Sequence, residues 1–466
     1  GLPEAAVREA RDRVRSAIIN SGFEFPARRI TVNLAPADLP KEGGRYDLAI
    51  ALGILAASEQ IKSSILEKFD CYGELALSGV CRAVDGLLPA LIASKQAKKQ
   101  VIIPYDNHLE ASLVKDLPIF TADSLVSVCS SLNGGSPLPE LVPTELPSEP
   151  DFDLDLSDVY GQHQARRALE IAASGNHHLI MMGPPGTGKS MLAQRLCTIL
   201  PLMTEDEAMS SASIRSICHK PVTRQNWLQR PFQSPHHTVS GVALVGGGSN
   251  PKPGEISLAH NGVLFLDELT EFDRKSIEVL REPLETGKIH ISRASRQAEF
   301  PAEFQLVAAM NPCPGGCDSI QLCDCSPEQL NRYRNKLSAP LMDRIDIQIE
   351  LPRLEKEELM RKTAQRTESS SQVRARVRQT HLRQLERQGC LNGQLSNPQI
   401  EQFCAIDDEG EKLLMHSIDK LKLTARSYHK LLKLARTIAD MENLQAITRP
   451  HLAEAISYRR QERRWQ

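Results

Sequence analysis

Residues 179–196 read LIMMGPPGTGKSMLAQRL, and how they are read decides the fold. The four apolar residues suit a short strand buried on both faces. Residues 183–190 then match G-x-x-x-x-G-K-[S/T], and a helical pattern follows, which is the strand–loop–helix context the motif requires. Gly183, Gly186 and Gly188 let backbone N–H groups close around phosphate oxygens, with Pro184, Pro185 and Thr187 between them. The helix N-terminus at Lys189, Ser190 and Met191 adds partial positive charge. Lys189 would reach the β and γ phosphates, and the Ser190 hydroxyl would ligate magnesium. The cofactors called for are ATP and Mg2+. A plain glycine-rich turn before a helix is the alternative, and it needs no such agreement of strand, loop and helix.

Two later runs complete the pattern. GVLFLDEL (262–269) puts Asp267 and Glu268 at the C-terminal end of an apolar strand, the edge at which such sheets bind ligands. Asp267 reads as the second magnesium group, acting through water, and Glu268 as the base that polarises the attacking water. An acidic pair capping a strand end is the alternative. FQLVAAMNP (304–312) is a third apolar strand. Asn311 at its end would orient water beside Glu268, although Asn-Pro alone is more often a turn.

The 466 residues allow two to four domains at about 100–200 residues each. A net charge of −2 gives no global basic excess, so any nucleic-acid binding needs a local patch. No apolar stretch approaches the roughly 18–20 residues that span a bilayer. Eleven cysteines with no signal-like start point to a reducing, cytoplasmic location. The chain opens on Gly1 in mid-pattern, so further residues are expected ahead of it.

Residues 1–132 alternate helical and strand-like patterns: a helix ending at Gly22, a strand at 28–35, an apolar helix at 46–58 and a strand at 98–106. Residues 133–152 form a Pro-rich, acidic linker. Residues 153–352 alternate apolar strands with helices, the pattern of a parallel α/β core. Residues 353–466 read as helical. Their first part, 353–388, holds ten Lys/Arg against five acids, a basic segment or simply a solvated helix face.

MNPCPGGCDSIQLCDC (310–325) concentrates Cys313, Cys317, Cys323 and Cys325 directly after Asn311. Four thiolates in a short loop suit tetrahedral Zn2+, although Cys-x-Cys is tighter than the usual spacing. Unligated or redox-sensing thiols are the alternative. The Pro-His-His at 235–237 hints at metal, but packing or loop polarity is the simpler reading.

The order of these motifs resembles the AAA+ ATPases of the helix-2-insert group, related to the magnesium-chelatase ATPase subunit and in particular to the ComM/YifB family. The resemblance is carried by 230–269, by LREPLETGKIHISRA (280–294), by RYRNKLSAPLMDRIDI (332–347) and by LTARSYHKLLKLARTIAD (423–440). It implies a P-loop AAA+ α/β core with a parallel sheet and a C-terminal helical lid. Val159, Tyr160, Gly161 and Gln162 look like the adenine-contacting segment. Arg344 is similar to the finger arginine that reaches a neighbouring subunit's γ-phosphate, although without the resemblance it equally reads as a surface ion-pair residue. Arg426 looks like the lid arginine that senses the γ-phosphate. A finger acting in trans requires an oligomer, and the resemblance implies a homo-hexameric ring. The hairpin of Lys288, Arg293 and Arg296 would project into a central pore toward DNA phosphates, with ordinary hairpin charges as the alternative.

Residues 1–132 resemble a Lon-protease-like, S5-like α+β domain in noncatalytic form. Arg45 stands where the family's serine is expected and Leu88 where its lysine is expected. A Ser–Lys mechanism needs both a nucleophile and a base, so peptidase activity is not expected. The functional expectation is a hexameric ATP-dependent DNA helicase or translocase, acting on single-stranded and branched DNA in branch migration during natural transformation. The alternative is a magnesium-chelatase-type ATPase that remodels a protein or metal-insertion partner.

Overall fold

The computed structural model describes residues 5–34, 43–142, 152–220, 222–223, 226–248, 251–293, 296–317, 323–353, 367–421 and 424–459. The chain divides into two compact units. One is Gly1–Glu149 with Ala212–Trp227; the other is Pro150–Ser211 with Leu228–Gln466.

In the front unit, helices α1 (Ala5–Asn20) and α2 (Asp47–Ala57) are joined by an ion pair in which Arg13 Nε donates to Asp47 Oδ2 at 2.9 Å. Asp47 is fully buried and also accepts from the Leu75 N–H. Strand β1 (Phe69–Cys71), helix α3 (Leu87–Gln96), β2 (Gln100–Pro104) and β3 (Ile119–Ala122) follow, with helix α4 (Leu125–Leu132) closing the run. The three strands form a parallel sheet in the order β1-β2-β3. The strand expected at 28–35 does not form over the described residues 28–34: they have no ladder partner, and Ile30 and Val32 are exposed. Alternation alone does not make a strand where no described backbone pairs with it.

Two expected boundaries shift. Residues 139–141, expected in the linker, run beside β3, with the Thr121 N–H donating to Pro139 O and the Leu141 N–H to Ile119 O. Residues 212–227, which the sequence reading placed in the α/β core, belong with the front unit. There the Leu88 N–H meets Ser216 Oγ at 3.5 Å, and His219 Nδ1 lies 2.9 Å from Asp85. Arg45 Nη2 donates to Asp85 O at 2.7 Å, and Leu88 is fully buried. The two positions of the expected dyad are therefore brought near each other, holding a cation and an apolar side chain.

The second unit is built on helix α5 (His163–Gly175), β4 (Leu179–Met182), helix α6 (Lys189–Ile199), β5 (Phe232–Gln233), β6 (Gly262–Leu266), a hairpin of β7 (Lys288–Arg293) and β8 (Arg296–Pro301), β9 (Phe304–Met310), helix α7 (Pro327–Arg334) and β10 (Ile347–Glu350). Five strands form a parallel sheet in the order β10-β4-β9-β6-β5. Every residue of β4, β6 and β9 is buried, as continuous apolar runs between helical layers require. Ile347 pairs with Leu179 and Val307 with Leu179, so the C-terminal ends of β4, β9 and β6 share one edge.

A helical layer follows: α8 (Ser370–Gln388), α9 (Asp408–Leu421), α10 (Ala425–Met441) and α11 (Arg449–Ser457). A capping box at Ser369 and Gln372 starts α8, and Gly389 at φ 75° ends it. Several described arginines of the basic segment are held at the surface by partners. Arg376 pairs with Glu170 and Glu368, Arg387 with Asp440, and Arg374 stacks over Phe152 at 4.7 Å. The solvated-face reading thus fits better than a free basic patch. At the base of the sheet Asp346, buried, accepts from Lys430 Nζ at 2.8 Å and from the His178 N–H at 2.9 Å. This ties β10 to α10.

Candidate nucleotide site and cysteine cluster

The loop between β4 and α6 is shaped by its glycines. Gly186 and Gly188 have φ of 82° and 86°, left-handed backbone that strains any other residue. A Cβ on Gly183 would stand 2.6 Å from Leu351 O, so the strand end has room only for hydrogen. Lys189 Nζ donates to Gly183 O (2.6 Å), Pro184 O (3.0 Å) and Asn311 Oδ1 (3.2 Å). Burial lowers the Lys189 pKa, against the opposing pull of Asp267 and Glu268. Ser190 Oγ donates to Asp267 Oδ2 at 2.6 Å. The sheet edge thus gathers Lys189, Ser190, Asp267 and Asn311 from three adjacent strands. A hydroxyl and a carboxylate meeting beside an ammonium form a hard-oxygen set of the kind magnesium takes, so the residues present fit Mg2+ with a polyphosphate.

Glu268 has φ 51° and ψ 48°, a conformation that costs a non-glycine residue about 1–2 kcal/mol. Its N–H donates to Asp267 Oδ1 at 2.9 Å, which helps to hold the turn. Its carboxylate is half-exposed, and His237 Nδ1 lies 3.5 Å from Glu268 Oε2. The His237 ring is set edge-on to Phe272 and close over His236, with centroids 4.1 Å apart. Packing, the simpler reading of this Pro-His-His stretch, does not account for the contact with Glu268. The missing signal is strand order, because β5 neighbours β6 and so delivers His237 to Glu268.

Asn311 is held by its own carbonyl, which accepts from Tyr333 Oη at 3.0 Å, while Thr270 Oγ1 donates to Tyr333 Oη at 2.9 Å. In the segment before α5, Val159 is buried and Tyr160 exposed; Gly161 and Gln162 both have positive φ, and Gln162 Nε2 donates to Pro352 O. Met191 is exposed on the first turn of α6.

Arg344 lies elsewhere. It precedes β10, whose first residue pairs with the first residue of β4, so it stands at the N-terminal edge of the sheet. The loop at 183–190 leaves the opposite edge, a strand length of roughly 13 Å away at about 3.3 Å per residue. Arg344 donates to Pro340 O at 2.6 Å and to Glu285, and its Nε is buried with no partner among the described residues. Burial lowers its pKa, with Arg281 and Arg426 adding to the effect, so Arg426 at the exposed start of α10 shares its surroundings.

In the β7–β8 hairpin, Lys288 is exposed and paired across the ladder with Glu299 at 2.7 Å. Arg293 and Arg296 face each other in register at the tip, and their side chains lie outside the described residues.

The cysteines converge as a group. The Sγ atoms of Cys313, Cys317, Cys323 and Cys325 all lie within 4.8 Å of one another. The Cys317 N–H donates to Cys313 Sγ at 3.3 Å. A tetrahedral zinc with 2.3 Å bonds sets sulfurs about 3.8 Å apart, so the group fits such an ion with little contraction.

Among the described residues no helix is long and apolar enough to cross a membrane. Residues 155–359 match the family described as magnesium chelatase, subunit ChlI; residues 1–107 match subunit ChlI of Mg-chelatase, and residues 367–459 match the ChlI C-terminal family. The chain is 51% identical to competence protein ComM of Haemophilus influenzae over 98% of this chain and 91% of that one. It is 50% identical to YifB of Escherichia coli over 98% and 90% of the two chains. The magnesium-chelatase 38 kDa subunit of Cereibacter sphaeroides is 25% identical over 38% of this chain and 56% of its own. With its P-loop, paired carboxylates and 5-strand parallel sheet, the chain belongs to the ComM/YifB family of magnesium-chelatase-like AAA+ ATPases.

Proposed function

We propose that this ATPase assembles as a homo-hexameric ring and uses ATP hydrolysis to move along single-stranded and branched DNA, driving branch migration when incoming DNA is recombined during natural transformation. The observation that carries the DNA reading is the near-full-length identity to a protein named for competence. The hydrolytic reading rests on the Lys189–Ser190–Asp267–Asn311 constellation.

Lys189 takes the β and γ phosphates, while Ser190 and Asp267 hold magnesium, the ion that neutralises charge on the transferring phosphoryl group. Glu268 draws the proton from water that Asn311 orients, and His237 fixes the Glu268 carboxylate. Arg344 lies at the sheet edge opposite its own loop, so it would act on a phosphate presented by a neighbouring subunit after leaving Glu285. Arg426 acts at the same neighbouring phosphate. Val159, Tyr160, Gly161 and Gln162 contact adenine. Because Lys288 is already paired, the tip residues Arg293 and Arg296 meet DNA first. The four clustered cysteines hold Zn2+, and the front unit serves assembly.

The test is ATP turnover with and without single-stranded DNA across a salt series. Stimulation by DNA that fades with rising salt is expected. Turnover indifferent to DNA, but raised by a protein partner, would favour remodelling of the magnesium-chelatase type.

A further inference from the structure

The cysteine cluster is built against the nucleotide loop. Gly315 lies so close to the sulfurs that a Cβ there would stand 3.0 Å from Cys325 Sγ, 3.5 Å from Cys317 Sγ and 4.0 Å from Cys313 Sγ. The next residue, Gly316, is left-handed at φ 65°, and a Cβ on it would stand 3.2 Å from Pro185 Cδ. The Gly316 N–H donates to Cys313 O at 3.1 Å, closing this turn. One tight turn therefore has the sulfurs on one side and the second proline of the P-loop on the other. The segment is also anchored at both ends. Before it, Asn311 accepts from Lys189; after it, Tyr333 donates back to the Asn311 carbonyl. No other segment spans thiols and phosphate loop in this way among the described residues.

We infer that a thiophilic divalent cation of the zinc class, held by Cys313, Cys317, Cys323 and Cys325, sets the P-loop through the Gly316–Pro185 contact, so that metal occupancy governs nucleotide affinity. This rests on reading the cluster as a metal site and residues 183–190 as the ATP site. Without the cation, four unlinked thiols leave the 315–316 turn without a fixed centre. Pro185 then loses the surface against which it packs, and the loop spends less time in the phosphate-binding shape. The dependence runs both ways, because nucleotide that holds Pro185 in place must tighten the metal by the same factor.

The experiment measures bound zinc per chain, then binding of fluorescent mant-ATP by the full chain in excess magnesium. It is done as purified, after a zinc-selective chelator, and after zinc is returned. About one zinc per chain is expected, with mant-ATP binding roughly fivefold or more weaker after removal and restored on reloading. Zinc present but affinity unchanged on removal overturns the coupling and leaves the metal reading standing. Absence of zinc in a chain that binds mant-ATP overturns both, and absence of mant-ATP binding with zinc loaded removes the nucleotide reading instead. Gly316→Ala keeps all four ligands, so it tests the contact without metal loss or unfolding. An alanine Cβ there would press on Pro185 Cδ at 3.2 Å and shift the loop from its phosphate-binding shape, so zinc content should hold while mant-ATP binding weakens about fivefold. Wild-type affinity in that variant overturns the inference.

Discussion

His237 Nδ1 stands 3.5 Å from Glu268 Oε2, and Phe272 meets the edge of the same imidazole. Glu268 is half-exposed on a left-handed turn, so its carboxylate has little else to fix it. His237→Ala is expected to lower ATP turnover about tenfold, a fraction of the 10²–10⁴ that general-base catalysis supplies. Nucleotide affinity should stay the same. His237→Asn, which keeps a hydrogen-bonding group, should recover part of the rate. Steady-state kinetics beside mant-ATP titration separate the two effects, and equal loss of affinity and rate would reassign His237 to folding of the loop.

Lys189→Ala removes the ammonium that bridges Gly183, Pro184 and Asn311. It should abolish measurable nucleotide binding. Glu268→Gln leaves Ser190 and Asp267 untouched and should bind ATP at near wild-type affinity while losing at least 10²-fold in turnover. Filter-binding and phosphate-release assays on the two variants check this contrast. Equal binding defects would mean that Glu268 serves the site by structure alone.

Arg344 lies at the edge of the sheet opposite its own P-loop, so the account requires it to act across a subunit boundary. Arg344→Ala alone is expected to lose about 10³-fold or more in turnover. Mixing it in equal amounts with Lys189→Ala should restore roughly a quarter of wild-type activity, because random rings place intact loops beside intact fingers at that frequency. Turnover in the mixture no higher than in either variant would place the finger in the same chain as the loop.

Three histidines, His260 and His381 buried and His178 half-buried, set an acid limit on stability. Burial lowers His178, His260 and His381 from about 6.5 to about 4. Each also has a partner: His178 accepts from the Leu306 N–H, His260 accepts from the Glu303 N–H, and His381 bonds Ala173 O. Between those two values the unfolded chain binds more protons than the folded one. Stability is therefore unaffected above pH 6.5 and falls as pH drops from 6.5 toward 4. Urea midpoints should be level from pH 8 to 7 and decline by pH 5, with up to three protons taken up on unfolding. A midpoint constant down to pH 5 would show that these rings are not held neutral.

Much of the nucleotide edge was legible because strand, glycine loop and carboxylates each carry a strong local signal. The 179–182 run became β4, and Lys189, Ser190, Asp267 and Asn311 meet on one edge. Long-range facts were not legible. His237 reaches Glu268 only because β5 lies next to β6, and strand order cannot be read from periodicity. The 28–35 alternation promised a strand, yet among the described residues none pairs with 28–34. Basic residues at 353–388 could be counted, but not their partners; Arg376 and Arg387 spend their charge on Glu170, Glu368 and Asp440. The cysteine spacing suggested a metal, whereas its contact with Pro185 needed the fold.

The most direct measurement of the central claim is branch migration of a synthetic four-way DNA junction by the full chain, followed by strand release over time. Wild type with ATP and magnesium should release strands, while Glu268→Gln should bind the junction and release none. ATP hydrolysis at a normal rate with no junction or forked DNA resolved, over the range of salt in which the protein binds DNA, would contradict the account.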